Sequence, residues 1–220
     1  GWYRIAPHVH TVHSDGRLTP AEVIALGKAS GLDGIVSTDH NTTSALLHWG
    51  EVQDPEFLVI NGVEVTYGQG HWNIFGLDPH AWIDFRIHHN DTLRYRKAVA
   101  KARKAGRLLV ANHPYNLDFL YDVTPMDGIE VWNSAWSPAN ERAVELWHTL
   151  LVGGNRKFAV ASTDFHRGGN IASPHTVVRA EALSAEAVID AIAAGRSYVA
   201  RDTSVEIGMQ VRNSATPVQH

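Results

Sequence analysis

The chain has 220 residues, 44% of them hydrophobic, with 19 lysines and arginines against 23 acidic residues and a formal net charge of -4. This length and apolar fraction predict one compact domain with a substantial core. The acidic balance, without a basic run interleaved with aromatic residues, excludes long nucleic acids as expected partners. No stretch approaches the roughly 20 consecutive apolar residues of a membrane-spanning helix, so we expect no membrane partner.

The chain starts at Gly1 rather than methionine, which we interpret as trimmed or processed N-terminal sequence. We expect a soluble, cytoplasmic protein by default, with secretion as the alternative if a signal segment was removed. The sequence contains no cysteine, so disulfides and thiolate ligands are excluded. Any metal must therefore be held by nitrogen and oxygen, which suits zinc, manganese or iron. The oligomeric state is not indicated.

Helix and strand patterns alternate along most of the chain. The clearest helix is predicted at residues 20–30, where Thr19 caps the helix, Pro20 begins it and Glu22 completes a capping box before Gly31. Further helices are predicted at residues 92–105, 139–152 and 185–194. Buried strands are predicted at residues 34–38, 57–63, 71–77, 108–112, 128–132, 158–162 and 176–179.

The repeated order of strand then helix predicts an α/β fold with a parallel sheet, either open or closed into a barrel. Histidines and acidic residues recur at the predicted strand ends, and the reactive groups of (β/α) barrels collect at the C-terminal ends of the strands. We therefore predict a barrel at residues 1–200, with the short chain favouring one strand fewer than eight. Residues 201–220 are predicted to be a tail or the start of a further segment.

His8 and His10 open the candidate site. In an extended strand residues i and i+2 point to the same face, so both imidazoles can reach one ion. Two incidental histidines on a half-exposed strand are the equal alternative. Asp15 follows in a Ser-Asp-Gly sequence, a pattern that more often marks only a turn.

Asp39 and His40 end the second predicted strand, where a capping aspartate and a surface histidine are the alternative interpretation. Glu64 is more informative, because burying a carboxylate in an apolar strand is costly unless it is paired or bound to a metal. A metal or a salt bridge is therefore expected at Glu64.

His71 opens one predicted strand, His113 closes another, and Asp164 and His166 repeat the i, i+2 spacing. Together these strand ends supply six histidines and three carboxylates, which are hard to explain as separate accidents. They exceed the four or five ligands of one zinc, so two or three divalent ions with a bridging carboxylate fit better. The predicted ligands are His8, His10, Asp15, His40, Glu64, His71, His113, Asp164 and His166.

The ordered motifs resemble those of the PHP (polymerase and histidinol phosphatase) superfamily across residues 8–166. They are His8-Val9-His10-Thr11, Ser14-Asp15-Gly16, Thr38-Asp39-His40, Gly62-Val63-Glu64, Asn112-His113-Pro114 and Ser162-Thr163-Asp164-Phe165-His166. Residues 1–4 and 38–41 particularly resemble the PHP branch that includes carbaryl-type carbamate ester hydrolases.

This resemblance implies a distorted (β/α)7 barrel with a trinuclear metal site. The implied division is His8, His10 and Asp164 on one ion, His71 and His113 on a second with Glu64 bridging those two, and Asp15, His40 and His166 on a third. One position departs from the family pattern. PHP proteins commonly carry an acidic residue two positions before the first histidine, and this chain has Ala6, which implies looser support for His8.

Residues around the predicted ligands are candidates for direct roles in the reaction. The candidate catalytic residues are Glu64, Asp39, His175 and Arg167. Asp39 is expected to orient a ligand, with a helix cap as the equal alternative. The candidates to contact an anionic substrate oxygen are Arg17, Asn41, Tyr115, Arg167 and His175, each with a surface or structural role as the alternative. Trp132 and Trp136 are candidate pocket walls, and Trp147 is assigned to the core.

The sequence predicts a metal-dependent hydrolase in which the ions lower the pKa of a bridging water and so provide a hydroxide nucleophile. It contains no Gly-x-Ser-x-Gly elbow, no cysteine nucleophile and no phosphate-cradling glycine loop. The leading prediction is a phosphoesterase that acts on a small, anionic phosphomonoester or phosphodiester. A carboxylic or carbamate ester hydrolase with the same metal site is the first alternative. A non-catalytic metal-binding module is the second, and the complete set of predicted ligands argues against it.

Overall fold

The computed structural model describes residues 1–51, 54–68, 70–88, 90–115 and 122–207. In chain order the elements are β1 (Trp2–Val9), α1 (Pro20–Ala29), β2 (Gly34–Ser37), two 3-10 helices (Ser44–Leu47 and Trp49–Glu51), β3 (Leu58–Tyr67), β4 (Gly70–Phe75), α2 (Thr92–Ala105), β5 (Leu108–Ala111), β6 (Gly128–Asn133), α3 (Pro138–Val152), β7 (Phe158–Ser162), β8 (His175–Arg179), α4 (Ala185–Ala193) and β9 (Ser197–Ala200).

These strands form one sheet in the order β7-β6-β5-β4-β3-β2-β1-β8-β9. The sheet curls until its two halves meet, because Val9 at the end of β1 forms a parallel bridge with Phe165 just after β7. The His10 N–H also donates to the Phe165 carbonyl oxygen at 2.9 Å. The predicted α/β barrel in a single domain is therefore confirmed as a nearly closed barrel.

The strand directions are mixed rather than parallel throughout. Strands β1, β2 and β3 run parallel, as do β5, β6 and β7, whereas β4 is antiparallel to both neighbours and β8 is antiparallel to β1. Antiparallel strands need only a short turn between them, so β3 and β4 form a hairpin without a crossover helix. The hairpin register places His71 of β4 opposite Thr66 of β3, two residues along β3 from Glu64.

Helix α1 begins as the sequence predicts. The Thr19 side chain accepts from the Glu22 N–H, the Glu22 carboxylate accepts from the Thr19 N–H at 2.8 Å, and Pro20 occupies the first turn. Gly31 follows the helix at a φ of 79°, in the left-handed region that glycine adopts without steric cost. The other three helices agree with their predicted bounds to within one residue.

The barrel interior is filled by apolar side chains from most of the strands. They include Ile5, Ile60, Val110 and Val160, and α4 packs against them through Ile192. A second apolar layer lies between the outer face of the sheet and helices α1 and α2, with Ala6, Val63, Leu109 and Ile129 among its members. These two layers hold the strand ends in fixed positions, so that side chains from separate strands can meet at one end of the barrel.

Of the predicted tail, residues 208–220 lie outside the described residues, and the boundary at residue 200 stays a prediction. Within the described part of the chain, no helix has the length and apolar character needed to cross a membrane.

Candidate metal centre

The predicted ligands lie together at one end of the barrel. Strands β1, β2, β3, β5 and β7 all finish there, and β4 starts there because it runs the opposite way. The side chains brought together are those of His8, His10, Asp15, His40, Glu64, His71, His113, Asp164 and His166.

The most buried group consists of His8, His10, Glu64 and Asp164. The Nε2 atom of His8 lies 3.3 Å from Oε2 of Glu64 and 3.2 Å from Oδ1 of Asp164. The Nε2 atom of His10 lies 3.4 and 3.0 Å from the same two oxygens. Two nitrogens and two carboxylate oxygens therefore surround one point, and this group contains every ligand that the resemblance implies for the first ion.

These four atoms are buried without hydrogen-bond partners. A buried polar atom without a partner is costly, and a charged one more so. A tetrahedral zinc-like ion with ligands at about 2.1 Å sets its ligand atoms roughly 3.4 Å apart, close to the separations observed here. The four donors therefore fit a divalent cation held by nitrogen and oxygen.

A second group is more open to solvent and consists of His10, Asp15, His40 and His166. Oδ1 of Asp15 lies 3.2 Å from Nε2 of His166, 3.6 Å from Nε2 of His40 and 3.9 Å from Nδ1 of His10. The Asp15 side chain is 59% exposed. The structure thus brings together the three residues expected on the third ion and adds His10.

A third group is centred on Glu64. Its Oε2 lies 2.9 Å from Nδ1 of His40, and its Oε1 lies 3.1 Å from Nδ1 of His71 and 3.4 Å from Nε2 of His113. The resemblance pairs His71 with His113, whereas the geometry also draws in His40. Because both of its oxygens face histidines, Glu64 has the position of a bridging ligand.

Burial and charge act in opposite directions on these groups. Burial disfavours the imidazolium form of His8, but the carboxylates of Asp164, Glu64 and Glu130 together raise the pKa of His8 well above its usual value. Burial alone would raise the pKa of Glu64, yet His8 and the other histidines around it lower that pKa well below its usual value. Against burial, the pKa of Asp164 is likewise lowered by His8 and His10, so Glu64 and Asp164 are ionised and protons or cations must balance their charge.

One buried carboxylate at the site, Glu130, is absent from the ligands that the sequence predicts. Its side chain is 1% exposed, and its Oε1 lies 3.1 Å from Nδ1 of His8. Its Oε2 accepts hydrogen bonds from the His113 N–H at 3.0 Å and from Nδ2 of Asn133 at 3.1 Å. The same criterion that selected Glu64, a carboxylate inside an apolar strand, applies to Glu130 between Ile129 and Val131.

Asp39 is buried, but its carboxylate faces a loop rather than a ligand. It accepts hydrogen bonds from the Thr11 N–H at 2.8 Å, the Thr11 hydroxyl at 2.7 Å and the Ser14 hydroxyl at 2.6 Å. The 3-10 helix that follows has Thr43 rather than Asp39 at its N-cap position, without a side-chain capping hydrogen bond. Asp39 thus holds the turn that leads to Asp15, and its catalytic role stays a prediction.

His175 is buried at the start of β8, and its Nδ1 lies 2.9 Å from the Ala172 carbonyl oxygen. Burial is the largest cause that lowers the pKa of His175, and the charge of Arg4 adds to it. The charged groups that act on it also include Asp33 and Asp202, not the carboxylates of the cluster. His175 is not among the residues of the three groups described above, and its assignment as catalytic stays a prediction.

The remaining candidates have mixed placements. Arg167 and Arg17 are exposed beside His166, and the Arg17 N–H donates to the His166 carbonyl oxygen at 2.8 Å. Asn41 uses its side-chain amide in two hydrogen bonds to the Thr66 backbone. The Arg142 guanidinium lies 4.0 Å from the ring centre of Tyr115.

The tryptophans divide between the rim and the core. Trp132 and Trp136 meet edge to face with ring centres 5.0 Å apart, and Trp136 is half-exposed. Trp147 packs against the core and donates to the Lys157 carbonyl oxygen, in agreement with its predicted place. Trp132 lies near the end of β6 and Trp136 follows the strand, while Asn133 and Ser134 between them hydrogen-bond to Asp164 and Thr163.

No protein-family model matches the chain, and no curated protein matches its sequence. Solved structures do share its fold. A two-domain protein from Bacteroides vulgatus ATCC 8482, containing a predicted PHP-like metal-dependent phosphoesterase, matches with a TM-score of 0.67 and 20% identity, over 92% of this chain and 65% of that chain. PsfC from Pseudomonas syringae PB-5123 matches with a TM-score of 0.67 and 18% identity, over 93% of each chain.

An amidohydrolase from Chromobacterium violaceum, with bound sulfate and no metal, matches with a TM-score of 0.58 and 18% identity, over 88% of this chain and 97% of that chain. The chain therefore has a PHP/amidohydrolase-like fold. It spans less than two thirds of the length of the two-domain Bacteroides protein.

Proposed function

We propose that this chain is a metal-dependent hydrolase that cleaves a phosphomonoester or phosphodiester bond in a small anionic molecule. The observation that carries the proposal is the convergence of four buried atoms without hydrogen-bond partners: Nε2 of His8, Nε2 of His10, Oε2 of Glu64 and Oδ1 of Asp164. Their separations and chemistry suit a cation better than a hydrogen-bonded network.

Divalent ions held by these groups would supply Lewis acidity and lower the pKa of a bound water. Glu64 keeps the histidine donors of two groups at fixed separations by presenting one oxygen to each side. Nδ2 of Asn112 donates to Oε1 of Glu64 at 2.8 Å and so fixes the plane of that carboxylate. Asp15 lies on the exposed side of the cluster, which is where a substrate can approach.

A phosphoester is the favoured substrate because adjacent cation sites suit a reacting group with several anionic oxygens. The exposed guanidinium residues Arg17 and Arg167 flank His166 and can add positive charge on the same side. The fold shared with a protein that contains a predicted PHP-like metal-dependent phosphoesterase supports the same substrate class by analogy.

A carboxylic or carbamate ester is the second candidate substrate class. The observation that favours it is the edge-to-face pair of Trp132 and Trp136, which offers an apolar wall close to Asp164. The sequence resemblance to carbamate ester hydrolases points the same way. An apolar ester group would pack on these rings, whereas a small phosphoester would have little use for them.

The test is hydrolysis by chelator-treated protein that has been reloaded with manganese or zinc. We expect release of the phenol from aryl phosphomonoesters or phosphodiesters, with phosphate as the second product of the monoesters. This activity should be lost in His10→Ala but not in His80→Ala, an exposed histidine outside the cluster. Preferential cleavage of aryl carboxylic or carbamate esters would favour the second candidate. Bound metal without hydrolysis of any of these esters would favour a non-catalytic metal-binding module.

A further inference from the structure

We propose that Glu130 is a positioning residue of the metal centre, which fixes the tautomer of His8 and ties together the loops that carry His113 and Asp164. This inference rests on the proposed metal-dependent function, because it concerns how the ligands are held. Glu130 itself faces away from the point at which the four orphaned atoms converge, since it contacts the opposite ring nitrogen of His8.

The tautomer of His8 follows from the chemistry of a carboxylate, which only accepts hydrogen bonds. Oε1 of Glu130 lies 3.1 Å from Nδ1 of His8, so Nδ1 must carry the proton. In the neutral ring that cation binding requires, the other nitrogen, Nε2, therefore has the lone pair, and it points at Glu64 and Asp164. A carboxylate on the far nitrogen of a ligating histidine both orients the ring and raises its basicity.

The second oxygen of Glu130 acts on two other parts of the site. Oε2 accepts from the His113 N–H at 3.0 Å and from Nδ2 of Asn133 at 3.1 Å. Nδ2 of Asn133 also lies 3.3 Å from Oδ2 of Asp164. His113 and Asp164 have φ values of 24° and 53°, which non-glycine residues rarely adopt, so both need such anchors to persist.

Glu130 also accounts for the departure at position 6. The PHP-like pattern places an acidic residue two positions before His8, but Ala6 is fully buried in the apolar layer that also contains Val23 and Ile24 of α1. Glu130 on β6 supplies a carboxylate to His8 instead, so His8 is supported from a different strand.

Glu130→Gln provides the sharpest variant because it retains shape and changes only hydrogen-bonding capacity. Three donors face the two carboxylate oxygens of Glu130, whereas glutamine has a single oxygen and an NH2 group that only donates. If the amide oxygen serves His113 and Asn133, the NH2 group faces His8 and demands the tautomer with the proton on Nε2. That tautomer cannot bind a cation through Nε2.

The experiment is a zinc titration by calorimetry of chelator-treated protein, with the wild type and Glu130→Gln compared. We expect the variant to lose about 10- to 100-fold in affinity at one site, as is typical when the hydrogen-bond partner of a ligating histidine is removed. Asp33→Asn is the matched control. It alters a carboxylate that accepts from the N–H of Arg4, which lies on the same strand as His8 but towards the other end of β1. Its zinc affinity should stay within twofold of the wild-type value.

Long-range ¹H–¹⁵N correlation spectra of the zinc-loaded wild type supply a test that needs no variant. His8 should carry its proton on Nδ1, with slow solvent exchange, and should bind zinc through Nε2. Zinc on Nδ1 of His8, or an unchanged zinc affinity in folded Glu130→Gln, would overturn the role of Glu130 alone. Failure of the wild type to bind zinc or manganese at all would overturn the proposed function as well.

Discussion

Nε2 of His166 lies 3.2 Å from Oδ1 of Asp15, and the backbone that carries these two residues also closes the barrel. The His10 N–H donates to Phe165 and the Arg17 N–H donates to His166, so the loop after β1 and the loop after β7 are fastened on both sides of the pair. The more exposed group of candidate ligands, which contains Asp15 and His166, therefore depends on barrel closure, because neither loop alone carries all of its residues.

The first prediction concerns this open group. If His40 and His166 share one ion, His40→Ala and His166→Ala should each lose that ion and lower the hydrolysis rate to a similar extent. The double variant should cost little more than either single variant, because residues that act as a unit are not additive. Metal content by elemental analysis and initial rates check this. Additive losses in rate would show that the two histidines act separately.

The second prediction concerns Glu64, which lies between the imidazoles of His8, His40, His71 and His113. Glu64→Gln retains the shape but removes the charge that offsets two cations, so hydrolysis should fall at least about 100-fold together with the bound metal. Circular dichroism should show a retained fold. Normal metal content with wild-type rates would mean that the bridging ligand lies elsewhere.

The sequence predicts most of the residues that converge at the candidate site, because these residues follow or interrupt apolar strands. Glu64 is the clearest case, since its buried carboxylate requires compensation that the local sequence does not supply. Strand direction is a different matter. The apolar runs of β3 and β4 look alike whether the strands pair parallel or antiparallel, and only the register shows that His71 lies opposite Thr66.

Glu130 and His175 show why the other roles could not be assigned from the sequence. Both occur in short apolar strands, and which face each side chain occupies depends on the pairing partners of β6 and β8. Glu130 turns towards His8, whereas His175 turns towards the Ala172 carbonyl oxygen. A buried titratable residue in an apolar strand indicates that its side chain has a polar partner, but only the tertiary structure shows which partner the side chain faces.

The third prediction concerns protons released on metal binding. Burial disfavours the charged forms of His8, His40 and His113, yet the surrounding carboxylates raise the pKa of each above its usual value. In metal-free protein these imidazoles therefore hold their protons to a higher pH than a free imidazole does, His8 most strongly, and a cation must displace those protons. Binding should release about one to three protons per chain at pH 7, and the affinity should rise with pH.

Calorimetric titrations with zinc in two buffers of different ionisation enthalpy measure the protons released. A binding enthalpy that does not depend on the buffer would contradict the prediction.

The same histidines also affect the stability of the metal-free protein. A raised histidine pKa stabilises the fold below the unfolded value near 6.5, and this contribution is lost as the pH rises through the folded pKa.

The last prediction concerns His175, whose pKa is lowered chiefly by burial. Between the folded pKa and about 6.5 the unfolded chain binds the extra proton, so the free energy of unfolding should rise with pH across that window and fall as the solution is acidified. His175→Asn places an amide donor near the Ala172 carbonyl oxygen but cannot titrate, so its stability should fall less between pH 7 and pH 5. Urea denaturation of both proteins measures the difference, in which the contributions of the cluster histidines cancel. Parallel curves would mean that the fold does not disfavour the charged form of His175, and a loss of hydrolysis far beyond the loss of stability would instead support the catalytic role that the sequence suggests.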